Sequence, residues 1–235
     1  MKLQLMLVLM MSVLTFAADN ETQIDQAGAT LNADIEQLGA GNIIGGADAV
    51  AGTMTALDLD GVSMTIDINQ IGDANKFLGD ITSDTFRGFF NFDGNYNIFD
   101  IKVDQTNTYG ADSSNLDIRV TGNSNDMSLD QALSSMASTL DLDWIIQGDS
   151  NIIDSDIDVD LATNYMDVDG NSNQITFDAN GYQGGYFYLD HTGNSRNFTI
   201  NQQSTLDNDW LRVFSNGNNG TFCINQNDGG TSTSC

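Results

Sequence analysis

Apolar and polar residues alternate with a period of two along most of this chain. The segment after Asn151 shows it most clearly, because every second residue there is an aspartate. One parity holds Ile153, Ser155, Ile157, Val159 and Leu161, and the other holds Asp154, Asp156, Asp158 and Asp160. Period-two alternation with one polar face predicts half-buried β-strands rather than helices.

The alternating runs are joined at glycines. Six junctions have the form Gly-x-x-Asn, and they are Gly39–Asn42, Gly72–Asn75, Gly94–Asn97, Gly122–Asn125, Gly148–Asn151 and Gly170–Asn173. A seventh, Gly193–Asn197, reads as the same motif with one extra residue, and an eighth, Gly217–Gly220, lacks the asparagine. Counting by twos on either side shows that one apolar face continues through each junction. Each unit is therefore predicted to be two strands joined by a glycine turn.

The spacing of the junctions predicts how the units assemble. Successive junction glycines from Gly72 onward lie 22 to 28 residues apart, and the first interval, with the Gly/Ala-rich insert Gly45 to Gly52, is 33. Such lengths suit two short strands and two turns per unit. A single unit cannot bury its apolar face alone, so stacking is required. We expect an all-β protein, a β-solenoid with two parallel sheets, with an antiparallel β-sandwich as the alternative.

Glutamines precede the first glycines. Residues 24–28, 35–39 and 68–72 read Ile-x-Gln-x-Gly, and two of these segments are followed by x-x-Asn. A second glutamine lies six residues after an asparagine at Gln131 and at Gln203. In this pattern the chain resembles the curlin-repeat family, the subunits of the extracellular amyloid fibres called curli. In later units the glutamine before the glycine is replaced, first by Phe92.

The resemblance implies a secreted, self-assembling structural protein that acts in adhesion and biofilm matrix. It also implies a homopolymer or a related curlin-like subunit as partner, and a dedicated outer-membrane secretion channel. The first units, Ile24 to Gln37, would then form the templating edge. The residues expected to shape the repeat and its assembly are Gln26, Gly28, Gln37, Gly39, Asn42, Gln70, Gly72, Asn75, Gly94, Asn97, Gly122, Asn125, Gly148, Asn151, Gly170, Asn173, Gly193 and Asn197.

The N-terminus and the charge bear on location and partners. Lys2 followed by the apolar stretch Leu3–Phe16 and by small residues predicts a signal peptide over residues 1–18. We expect a repeat domain over residues 19–226 and a Gly/Ser/Thr tail over 227–235. Removal of the signal leaves 6 of the 7 basic residues against 33 acidic ones, a net charge of −27. This charge excludes nucleic acid and anionic lipid as partners, and no segment after the signal predicts membrane insertion.

The remaining side chains with candidate chemistry are few. In a secreted protein, Cys223 and Cys235 are expected to form one local disulfide. His191 occupies the inward position that Gln70 has in its own unit, so we expect a hydrogen-bonded structural residue and not a catalytic base. The aromatics predicted to face inward are Phe90, Phe92, Phe99, Trp144 and Phe187, and those predicted to face outward are Tyr186, Tyr188 and Trp210. No arrangement for nucleophilic catalysis is visible, so we expect no catalytic residue and no enzyme.

The aspartate row supports the competing hypothesis. Asp154, Asp156, Asp158 and Asp160 share one face, and Ca²⁺ takes several oxygen ligands, which neighbouring units could supply. Neither an EF-hand loop nor a calcium β-roll repeat is present, so the other interpretation is a solvated face. The alternative function is thus a monomeric acidic β-solenoid that binds Ca²⁺ or surface glycans on a cell or virion appendage. No other cofactor is expected.

Overall fold

The computed structural model describes residues 21–22, 24–39, 42–45, 57–72, 75–103, 113–131, 139–180, 185–204 and 209–228. In these ranges the regular structure is β-strand throughout, and no helix occurs. The predicted signal peptide lies outside the described residues.

Sixteen strands follow one another along the chain. The first eight are β1 (Glu21–Thr22), β2 (Asp25–Leu38), β3 (Ile43–Ile44), β4 (Leu57–Ile71), β5 (Lys76–Asp93), β6 (Ile98–Val103), β7 (Ser113–Thr121) and β8 (Asp126–Gln131). The second eight are β9 (Leu140–Gln147), β10 (Ile152–Ile157), β11 (Thr163–Asp169), β12 (Gln174–Ala179), β13 (Tyr186–Thr192), β14 (Asn197–Ser204), β15 (Trp210–Asn216) and β16 (Thr221–Asp228).

Every strand pairs in parallel with the equivalent strand of the unit before or after it. The strands before the glycine turns, which we call leading strands, stack in the order β5-β7-β9-β11-β13-β15. The strands after the turns, the trailing strands, stack as β5-β6-β8-β10-β12-β14-β16. β5 belongs to both stacks, because Lys76–Ile81 pairs with β6 and Thr85–Asp93 pairs with β7. The predicted β-solenoid is confirmed, with about six turns, and the antiparallel alternative is not observed.

Side chains of one parity from both stacks fill a continuous interior. At the centre Phe99 contacts Phe77, Phe90 and, edge-on, Trp144, with ring centroids 5.6–5.9 Å apart. All five aromatics predicted to face inward are buried, which confirms the parity argument. The prediction for Leu161 was wrong: it is 53% exposed. It lies in the turn after β10 with a φ of 54°, so the strand alternation no longer applies to it.

The glycine turn has constant length, whereas the opposite connection of each unit, which we call the far corner, varies. β3 ends at Ile44 and β4 begins at Leu57, yet these residues pair with Phe77 and Gly79, only two positions apart on β5. In chain length, residues 45–56 therefore replace one residue of the next turn, Leu78, which lies within a trailing strand and before the far corner at Ser83. This accounts for the 33-residue first interval, because the described strands on both sides keep their register.

The register also corrects the first predicted repeat. Gln26 and Gly28 lie within β2 and pair with Leu59 and Gly61, not with Gln70 and the glycine turn. Ile24–Gly28 therefore precedes a far corner, and the similarity of its letters to residues 35–39 is not a similarity of position. At the other end, β16 continues to Asp228, two residues into the segment predicted as a tail. Within the described residues no helix is long and apolar enough to cross a membrane.

Candidate functional site

The glycine turns are packed too closely for any side chain on the glycine. A Cβ built on Gly170 would lie 1.8 Å from the carbonyl oxygen of Gly148, the equivalent glycine of the preceding turn. Gly170 also has a φ of +142°, which L-residues rarely adopt. The glycine at this position is therefore required twice, by the backbone angle and by the close approach of the next turn.

The asparagines of the glycine turns form a buried ladder along the solenoid. The asparagines of the six regular Gly-x-x-Asn turns are at most 1% exposed. The amide Nδ2 of each donates to the Oδ1 of the next, at distances of 3.1, 2.9, 2.9, 2.8 and 3.1 Å from Asn42 through Asn75, Asn97, Asn125 and Asn151 to Asn173. In the later turns, as at Asn125, Nδ2 also donates to the carbonyl of the turn glycine three residues earlier. The ladder satisfies buried turn carbonyls and ties consecutive turns together.

A shorter ladder of glutamines lies beside it. Nε2 of Gln70 donates to Oε1 of Gln37 at 2.7 Å and to the carbonyl of Lys76 at 3.0 Å. This ladder stops after one step, because the aligned residue of the next turn is Phe92. Packing replaces hydrogen bonding at this position through most of the molecule.

The seventh junction contains no extra residue. Asn197 is exposed and begins β14, where it pairs with Gln174 and Thr221, so Arg196 occupies the asparagine position. Nη1 of Arg196 donates to the Gly193 carbonyl at 2.8 Å, as Asn173 does to Gly170, and Nη2 donates to the Gly217 carbonyl at 3.1 Å. The predicted role of Asn197 in the ladder was therefore wrong, and Arg196 performs it for two turns.

Gly220 occupies the position equivalent to Arg196 in the next turn, and its lack of a side chain leaves room for the arginine. A Cβ on Gly220 would lie 2.8 Å from Nε and 2.9 Å from Cγ of Arg196. The asparagine is missing from the eighth junction because the longer side chain from the seventh occupies its space. The same shift of one residue moves the glutamine that follows: the buried member is Gln202, which pairs with Ala179, and the predicted Gln203 is only partly buried.

His191 packs in the interior, at the predicted inward position. It is fully buried, aligned with Val168 and Ser215, with its ring edge-on to Phe198 at 5.0 Å. The Ser215 hydroxyl lies 3.4 Å from its Nδ1. Burial, and then the charge of Arg196, lower the pKa of His191 below its ordinary value, so the ring is neutral at pH 7.

The aspartates of β10 line up with carboxylates of the neighbouring turns. Asp156 pairs in register with Asp130 on one side and Asp178 on the other, whereas Asp154 pairs with Ser128 and Thr176. Desolvation, and then the adjacent carboxylates, raise the pKa of Asp156 to about 6. Asp158 and Asp160 follow the strand and lie in the far corner. In the described part of the chain, no group of three or more His, Cys, Asp or Glu residues is placed to hold a metal ion.

The outward aromatics form stacks across the last turns of the leading-strand sheet. The rings of Tyr165 and Tyr188 stack nearly parallel with their centroids 5.0 Å apart, and those of Tyr186 and Trp210 do so at 4.4 Å. Trp210 is 44% exposed, in agreement with its predicted outward parity. Because these rings stack on one another, each covers one face of its partner. Cys223 is disulfide-bonded, and Cys235 lies outside the described residues.

Both ends of the described solenoid are open. β15 pairs only with β13 and β16 only with β14, and at the other end β2 pairs only with β4. At the C-terminal end, interior positions are uncovered: Phe222 and Ile224 are 41% and 45% exposed, although equivalent residues such as Phe198 and Ile200 are fully buried. At the N-terminal end, Leu31 and Ile35 are only partly buried. Among the described residues, no further turn covers either end.

The Gly-x-x-Asn motif predicts the six regular junctions correctly, but not the corner at Gly28 or the roles of Arg196 and Gly220. The interrupted form of the last two junctions was the available signal, because two adjacent exceptions in a regular repeat indicate a compensating pair. Comparisons with protein-family models, curated proteins and solved structures return no match. The resemblance to curlins therefore depends on the repeat motifs alone.

Proposed function

We propose that this protein is a secreted structural subunit that assembles end to end into extracellular fibres, as curli subunits do. Its partners are further copies of itself or a related curlin-like subunit, with a dedicated outer-membrane channel for export. The observation that carries the proposal is the pair of open ends, each with the cross-section of an ordinary turn. Unpaired strand edges of this kind pair readily with other strands.

The backbone at the C-terminal end is arranged for such pairing. The N–H of Trp210 points toward the preceding turn and donates to the Gly185 carbonyl. Because N–H groups alternate in direction along a parallel strand, those of Leu211, Val213 and Ser215 point away from β13. A second copy would find donors and acceptors there, with the exposed Phe222 and Ile224 beside them.

The test is assembly of the purified mature chain, followed by thioflavin fluorescence and fibre diffraction, with and without salt. We expect fibres with a reflection at about 4.7–4.8 Å along the fibre axis. Val213→Pro removes one outward N–H without breaking a pair to β13, so this variant should fold but elongate poorly. Val213→Ala, which keeps the N–H, is the matched control. Wild-type protein that stays monomeric in every condition would rule out the proposal.

The competing proposal, a monomeric acidic solenoid that binds Ca²⁺ or surface glycans, is separated by calorimetry. The observation that favours it is the acidic row in which Asp156 lies in register with Asp130 and Asp178, although no three such residues of the described chain are placed to hold one metal ion. Saturable Ca²⁺ binding by a chain that remains monomeric would support this function, with Asp156→Asn weakening the binding. Assembly that proceeds equally in the presence of a chelator would count against it.

A further inference from the structure

We propose that assembly has a fixed polarity, in which the C-terminal edge of one copy stacks on the N-terminal edge of the next and Arg212 pairs with Asp34. The occupant of each end is thus a second copy of this chain. The inference depends on the proposed end-to-end assembly and specifies the contact that directs it.

The two ends differ in charge. Strands β15 and β16 contain one basic residue, Arg212, and one acidic residue, Asp228 at the extreme end. Strand β2 contains three acidic residues, Asp25, Asp34 and Glu36, and no basic one. In a chain of 33 acidic and 7 basic residues, the C-terminal edge thus lacks the excess of negative charge that β2 has. The C-terminal edge is therefore the surface on which an acidic edge can dock.

The register brings these charges together. Each turn stacks with its junction glycine on that of its neighbour, as Gly39 does beneath Gly72 and Gly193 beneath Gly217. Extending this stacking by one turn places Gly39 of the next copy on Gly217. Counting back five residues from each glycine gives Asp34 and Arg212, both exposed on the outer face. Adjacent strands lie about 4.8 Å apart, within the reach of these two side chains.

The side chain of Arg212 is positioned at the exposed edge by two aromatic rings. Its guanidinium lies 4.2 Å from the ring centroid of Phe214 and 5.6 Å from that of Tyr188. Within the described residues the one salt bridge joins Arg119 to Asp117, so Arg212 has no carboxylate partner there. A depression of about 400 Å³ beside it is lined by residues that include Asp190, Thr192 and Asn216.

Other pairings of the ends are unfavourable. Two C-terminal edges in contact would offer Arg212 no acidic strand, and two N-terminal edges would join two acidic copies of β2. Like charges directly opposite on paired strands are destabilising. The head-to-tail arrangement is the one that pairs opposite charges, and it also continues the parallel direction of the strands.

The experiment uses two single variants, Arg212→Glu and Asp34→Arg, in low-salt buffer. Each variant alone places like charges at every contact between copies, so its elongation should be slower than that of wild type by about tenfold. Mixed in equal amounts, the two variants can alternate along a fibre, and every contact between copies then joins opposite charges. The mixture should recover a rate within about threefold of wild type, and the double variant should recover in the same way.

Two variants at internal turns control for the change in net charge. Arg87→Glu replaces an exposed arginine that lies 5.7 Å from the ring of Phe89, with the neutral neighbours Thr65 and Asn115 in register. Asp141→Arg replaces an exposed aspartate beside Asn115 and Thr163. Both should elongate at the wild-type rate, and circular dichroism should show that all variants fold.

The outcomes separate the two proposals. Wild-type protein that never assembles contradicts the proposed function itself. Wild-type protein that assembles while both edge variants elongate normally, or while their mixture is no faster than either alone, contradicts the polarity and the Arg212–Asp34 contact but leaves fibre formation standing.

Discussion

At the scale of single residues, the molecule is held together by contacts between equivalent side chains of successive turns. Each ladder asparagine is both donor to the next turn and acceptor from the previous one, so its contribution depends on its neighbours. Arg196 shows that the requirement is for a buried donor and not for asparagine. Its guanidinium reaches the carbonyls of two turns, and Gly220 leaves the space that it needs.

This complementarity predicts strong coupling between the two positions. Gly220→Asn alone should reduce the free energy of unfolding by about 1–3 kcal/mol, because its Cβ collides with Arg196. In the background of Arg196→Asn the same change should be neutral or stabilising, because it extends the asparagine ladder by two members. Urea unfolding of the wild type, both single variants and the double variant measures the coupling. Additive effects would contradict it.

Part of this residue-scale picture could be predicted from the sequence. The parity of Phe99, Trp144 and His191 followed from counting by twos, because strand geometry fixes which side chains face inward. The exchange at Arg196 could not be predicted in the same way. An arginine followed by asparagine reads equally well as an insertion, and only the pairing of Asn197 with Gln174 distinguishes the two.

At the scale of the element, each turn of the solenoid has one constant corner and one variable corner. The constant corner is the glycine turn, where backbone contacts backbone and no atom can be added. The far corner ranges from the continuous strand β5 to the nine residues between β6 and β7. Alternation and glycines predicted the constant corner, but far corners of varied length have no common sequence signal. The pattern Ile-x-Gln-x-Gly therefore predicts a glycine turn at Gly28, although this residue precedes a far corner.

Alanine substitutions at one glycine of each corner should show this difference. Gly170→Ala should cost at least about 3 kcal/mol, because it combines a positive φ with a Cβ 1.8 Å from the Gly148 carbonyl oxygen. Gly185→Ala, at a far corner where the nearest atom is 3.2 Å away, should change stability by less than about 1 kcal/mol. Thermal unfolding of both variants tests this, and equal losses would show that the two corners are equivalent.

At the scale of the whole molecule, the dominant property is stacked negative charge. The parallel register places aspartates above one another, and desolvation raises the pKa of several, including Asp130, Asp154 and Asp156. Lys102 offsets part of this charge, since it pairs in register with Asp80 and Asp130. The fold is thus under electrostatic stress at neutral pH, and this stress is relieved by protons and screened by salt.

The stress predicts a pH dependence that is specific to Asp156. Its pKa is about 6 in the folded protein and near 3.8 otherwise, so the folded state binds the proton more tightly. Stability should therefore rise as pH falls from about 6 to about 4 and gain nothing more below. Asp156→Asn should stabilise the protein by about 1 kcal/mol at pH 7.5, after allowance for solvent screening, and by almost nothing at pH 4.

Denaturant unfolding of wild type and Asp156→Asn at the two pH values provides the measurement. The difference between the two proteins cancels the opposite effect of His191, whose lowered pKa makes acid destabilising. A stabilisation that is the same at both pH values would mean that the effect comes from packing and not from charge.

The insert between Ile44 and Leu57 has a consequence for how such a protein can change. Twelve residues stand where the neighbouring turn has one, and the strands on either side keep their partners. Added length at this point of a trailing strand therefore leaves the pairing on either side unchanged, whereas a glycine turn has no room for an added atom. A foreign peptide grafted between Ile44 and Leu57 would be displayed once per molecule, at a constant repeat along any fibre that the protein forms.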